Sequence, residues 1–181
     1  MHACIAIDGT AKKFSQKYSK QSYKNYLRQY WWLIERFIGG GLDLQNTKWN
    51  HITLDNGHGK IITDSDLADI IYHIFRCRNA HGEEIPLEYE LLPVSDGYSE
   101  WIIGLQDQRL HMPERIIWAL LAVVVFSKAN SDIKTDGEYC LTWGSEQLGI
   151  KEFIIKDWWG KEDQVKEFFQ PYEQIRVKIA I

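Results

Sequence analysis

The chain has 181 residues, 45% apolar and 25% charged, close to the average for a globular protein, so a single domain over residues 1–181 with a proper core is expected. A net charge of −4 gives no general attraction to nucleic acid, and any such binding must use a local basic surface. Three cysteines, Cys4, Cys77 and Cys140, are odd in number and widely spaced, which argues against a disulfide framework and for a reducing compartment.

From Met1 to Ile7 there is neither a basic leader nor a long apolar stretch, so no secretion signal is expected and the cytoplasm is the expected setting. The first long element predicted is a helix from Lys12 to Ile38, because Tyr23, Tyr26, Tyr30, Leu33, Ile34 and Phe37 recur at steps of three and four, and Gly39-Gly40-Gly41 ends it. Lys13, Lys17, Lys20, Lys24 and Arg28 recur at similar steps and form a cationic stripe, either a solvated helix face or a docking strip for RNA phosphates. Asp55-Asn56-Gly57 marks a turn ahead of Ile61-Ile62 and predicts a small hairpin. Thr63 and Asp66 have capping-box spacing before a second helix, whose apolar face is Leu67, Ile70, Ile71, Ile74 and Phe75 and whose natural end is Gly82.

Leu87, Tyr89 and Leu91 alternate with Glu88 and Glu90, and Asp96-Gly97 separates them from Trp101-Ile102-Ile103, which predicts a β-hairpin insertion. Pro113 suits a first helical position, and Ile116 to Phe126, apolar on every side, reads as the central helix of a bundle, too short to cross a bilayer. Short helices are expected at Ile150–Trp159 and Lys161–Phe169, then a terminal strand in which Ile175, Val177, Ile179 and Ile181 alternate. The class is mainly α with minor β. The pairs Trp31-Trp32 and Trp158-Trp159 suit core packing, with base stacking as the functional alternative.

The run carrying the chemistry is Arg76-Cys77-Arg78-Asn79-Ala80-His81, in the last turn of the second helix and its exit. It resembles the signature of the HEPN family, whose ribonuclease members carry an arginine followed after four to six residues by a histidine. The resemblance, covering roughly Thr63 to Gly82, implies a helical bundle, usually a homodimer, with two copies of the motif facing one another across a cleft that binds RNA. It also implies a toxin–antitoxin or antiphage setting, with an antitoxin or other protein as partner. No metal or cofactor is required, because RNA supplies its own nucleophile in the 2′-hydroxyl and needs only proton transfer and charge stabilisation. His81 suits the general base or acid, since imidazole titrates near neutrality. Arg76 suits the phosphate clamp, Asn79 an orienting role, and Arg78 a second clamp.

On a regular α-helix Arg76 and His81 stand about 140° apart. Either the helix loosens before Gly82 or two subunits share the site, and the resemblance favours the second. Arg78 and His81, three apart, are adjacent. A rival reading takes His73, Cys77 and His81, at successive four-residue steps, as zinc ligands on one face; the blandest takes the run as a capped helix end.

Overall fold

The computed structural model describes residues 2–15, 19–38, 43–44, 46–50, 54–55, 61–78, 84–87, 89–93, 103–106, 109–145 and 149–179. Where one helix is predicted from Lys12 to Ile38 there are three: α1 (His2–Ser15), α2 (Lys20–Gln29) and α3 (Trp31–Ile38). The cause of the break before α2 is local. The Ser19 hydroxyl accepts from the Ser22 backbone N–H at 2.9 Å, and the Ser19 N–H donates back to Ser22 Oγ at 2.7 Å. This reciprocal cap starts a new helix. The aromatic inner face survives the breaks, with Tyr23, Tyr26, Leu27, Tyr30, Leu33, Ile34 and Phe37 all buried.

The small hairpin is present as β1 (Leu54–Asp55) antiparallel to β2 (Ile61–Ile62). Helix α4 (Leu67–Ile70) begins one box later than expected. Asp66 caps it by accepting from the Asp69 N–H at 3.0 Å, and the Asp69 carboxylate accepts from the Asp66 N–H at 3.2 Å. From Ile71 to Arg78 the same helix widens into a π-helix, in which i→i+5 bonding replaces the tighter α pattern.

The predicted insertion differs in topology. Strand β3 (Tyr89–Leu92) runs parallel to β5 (Arg109–Pro113), with β4 (Gly104–Gln106) antiparallel on its other side, giving the order β3-β5-β4. Parallel pairing requires a long connection, so turn residues between neighbouring segments could not reveal it. Pro113 closes β5, and α5 (Arg115–Phe126) starts two residues later. As expected α5 is central: it packs on α1 and α3, and Ile116, Ala119, Leu120 and Ala122 to Phe126 are buried, although Trp118 faces outward.

Beyond α5 the expectations need two corrections. Ile150 to Ile154 are not helical; β6 (Cys140–Ser145) and β7 (Gly149–Ile154) form an antiparallel hairpin, and only α6 (Ile155–Trp158) follows the helical expectation. The terminal strand is replaced by helix: α7 runs Glu162–Ile179, through Pro171. Val165, Phe168, Phe169 and Tyr172 pack inward at helical spacing, and once nucleated a helix gains a hydrogen bond per residue, whereas a strand needs a partner edge. Trp143 of β6 and Phe153 of β7 meet these rings, at 4.9 Å to Phe169 and 5.3 Å to Phe168 respectively. The tryptophan pairs serve packing in large part: Trp31 is buried, and Trp158 stands 4.8 Å from Phe153. The architecture is mainly α, and no described helix is long and apolar enough to cross a membrane.

Gly160 links α6 to α7 at φ +72°, where a Cβ would come within 2.4 Å of the Ser131 Cα. Gly160→Ala is therefore expected to cost about 1–3 kcal/mol through backbone strain and overlap, read as a lower urea midpoint; an unchanged midpoint would mean that this turn relaxes freely.

Candidate functional site

The π segment presents Arg76 to α1. Its Nε donates to Asp8 Oδ2 at 2.9 Å, and Nη2 forms an ion pair with the same oxygen at 2.7 Å. The guanidinium carbon lies 5.7 Å from the centroid of the Tyr72 ring. The Arg76 side chain remains 24% exposed, so it is anchored at the surface, not sealed in the core. Cys4, one helical turn before Asp8, and Tyr23 are buried beside this pair. Burial pushes the Cys4 thiol up and the Tyr23 hydroxyl well above its usual range.

Asn79 and His81 lie outside the described residues, as does the side chain of Arg78. What bears on their approach to Arg76 is the route of the backbone: the helix has loosened by Ile71, and in a π coil residues five apart come closer to one face than in an α-helix. Of the rival ligands, His73 is buried with its ring edge-on to Tyr72 at 5.0 Å, and Cys77 is half-buried. No group of three or more His, Cys, Asp or Glu is gathered for a metal among the described residues.

The cationic stripe is divided between elements. Lys13, on α1, pairs with Asp132 at 3.0 Å, both well exposed. Lys17 lies outside the described residues, and Lys20 is exposed at the start of α2. Lys24 and Arg28 instead turn towards the cap of α4: Lys24 reaches Asp69 at 2.8 Å, and Arg28 donates to Asp66 at 2.7 and 3.1 Å and to Asp69 at 3.2 Å. Lys48 adds a contact to Asp66 at 3.5 Å. Burial disfavours the charge on Asp66, but hydrogen bonds from Arg28 and the Asp69 N–H, with the Arg28 charge, hold its carboxyl below the usual range. Burial likewise works against Arg28, and the two carboxylates outweigh it, raising its pKa.

A second polar centre joins α2, α5 and α7. The Tyr30 hydroxyl donates to Glu162 at 2.6 Å and lies 3.0 Å from Ser127 Oγ, while Lys166 donates to the other Glu162 oxygen at 2.6 Å. Asp8, Asp69 and Glu162 were not singled out by sequence reasoning, and Asp66 only as half of a Thr63/Asp66 capping box. Only the Asp66/Asp69 pair carried a usable signal, its capping-box spacing.

A family model described as Rv1289 matches residues 1–181. The chain belongs to the Rv1289 family. Relatives in this family include "Uncharacterized protein Rv1289" of Mycobacterium tuberculosis and "Uncharacterized protein Mb1320" of Mycobacterium bovis. Each is 27% identical over 170 residues, covering 92% of this chain and 76% of the relative. No solved structure matches the chain. The Rv1289 family thus fixes kinship over the whole sequence, while the chemistry has to be reasoned from the side chains.

Proposed function

We propose that the chain is a metal-independent endoribonuclease of HEPN type, cutting RNA through its own 2′-hydroxyl. Arg76 clamps the phosphate, His81 transfers the proton, and Asn79 and Arg78 support them. The observation that supports this reading is the widening of an otherwise ordinary amphipathic helix into a π coil over Ile71–Arg78, which carries the first half of the motif; π segments recur at functional sites. Arg76 is also held in place while remaining partly exposed, which suits a clamp that must meet phosphate without reorganising. A homodimer in which two motifs share a cleft, and a toxin–antitoxin or antiphage setting, follow from the resemblance. The test is cleavage of RNA in the presence of a chelator, with His81→Ala as the comparison.

One observation favours a second reading, a non-catalytic HEPN-like domain that binds nucleotide, RNA or a protein: the Arg76–Asp8 ion pair is what a purely structural arginine would make. RNA affinity that survives Arg76 and His81 substitution, with no turnover in the parent protein, would favour it.

For RNA binding, the exposed part of the stripe carries the expectation. Replacing Lys13 and Lys20, both exposed, together by Gln is expected to weaken binding equally across sequences. The salt slope should fall by about 0.7 for each single-strand phosphate that is no longer neutralised. Titrations at several salt concentrations measure it, and an unchanged slope would make the stripe a solvated face.

A further inference from the structure

We propose that Asp8 is a positioning residue of the candidate site, fixing the plane of the Arg76 guanidinium so that it meets the charge developing on the phosphoryl group; this rests on the ribonuclease reading. The geometry of the pair falls short of a full arginine–carboxylate fork. A full arginine–carboxylate fork uses two nitrogens and two oxygens. Here Nε and Nη2 both converge on Oδ2, while Oδ1 is buried without a hydrogen-bond partner. An orphaned buried acceptor lowers stability and calls for another explanation. The Nε hydrogen bond and the Nη2 ion pair on one oxygen, with the Tyr72 ring near the guanidinium carbon, fix the direction of this partly exposed side chain.

Such a role is felt in the transition state more than in ground-state binding, to which many other groups contribute. Asp8→Asn is therefore expected to lower kcat for RNA cleavage by about a hundredfold with KM changed by no more than about threefold, and Asp8→Glu to recover part of the loss. The control for lost stability is Thr10→Val, on the same helix, which removes the hydrogen bond from Asn130 Nδ2 to Thr10 Oγ1 without touching Arg76. Assayed below its own melting temperature, it is expected to keep kcat. If Asp8→Asn keeps kcat within about twofold, or loses no more than Thr10→Val does, Asp8 has no positioning role, even if His81→Ala is inactive and the ribonuclease reading stands. If the parent protein cuts no RNA, the reading and the role of Asp8 fall together.

Discussion

RNA incubated with the protein in excess EDTA is expected to be cut, and His81→Ala is expected to lower the rate by about 10²–10⁴, the usual contribution of a positioned acid or base. The nucleophile belongs to the RNA, so a single 2′-deoxy nucleotide placed 5′ to the cut should stop cleavage while leaving the phosphate interactions intact. The first products should carry a 2′,3′-cyclic phosphate and a free 5′-hydroxyl. Mass spectrometry of the fragments decides the matter: cleavage that needs a divalent metal, or that proceeds past the 2′-deoxy position, would exclude the mechanism. Sequence reasoning makes Arg76→Ala an equally clean substitution, with almost no effect on stability at an exposed helix end. The structure alters that expectation. Arg76 joins the π segment to α1 through Asp8, and leaving that carboxylate without its partner is expected to cost about 1–3 kcal/mol. His81 is the sharper probe.

The largest loss of stability is expected from Arg28→Ala, about 3 kcal/mol, near the lower end for breaking a buried ion pair because Arg28 itself is 27% exposed while Asp66 is only 2% exposed. The pH dependence follows from the direction of the Asp66 shift. Its folded pKa is depressed, so the stabilisation is fully present above the unfolded value of about 3.9 and is lost as pH falls through the folded value. In the parent protein, urea unfolding should therefore show stability falling below about pH 4, with the lowered Glu162 carboxyl adding to the same trend. In Arg28→Ala this acid dependence should flatten. Lys13→Ala, which breaks only an exposed pair with Asp132, should cost less than about 1 kcal/mol. Equal losses in the two variants would mean that the α4 cap does not anchor α2. Arg28 is thus better tested as a structural residue than as part of an RNA strip.

Much of the fold was legible where burial follows a helical period. Tyr23, Tyr26, Tyr30 and Leu33 revealed the inner face of the N-terminal helices, and Ile116 to Phe126 the central one. What escaped was set by interactions that periodicity does not encode. The Ser19–Ser22 cap divides one apolar stripe between helices. Leu110 and Met112 are buried in β5, but Arg109, His111 and Pro113 around them hide a strand whose parallel partner is β3. In the last segment alternating Ile175, Val177 and Ile179 suggested a strand, yet the period set earlier by Val165, Phe168 and Phe169 prevailed. At the candidate site the motif itself was visible in the sequence. Asp8 was not, because it meets Arg76 across a separation of 68 residues and no local spacing marks such a pair.

The attachments of α1 have a consequence for synthesis on the ribosome. Ala3, Cys4, Ile7 and Ala11 emerge well before α5, one of the elements on which their helix packs, and Thr10 waits for Asn130, 120 residues later. At about 5–20 residues per second, the part of α1 that packs on α5 waits on the order of ten seconds for its partner, whereas α2, which also packs on α1, is made sooner. The α5-facing side of α1 is thus completed only when the centre of the bundle has been translated.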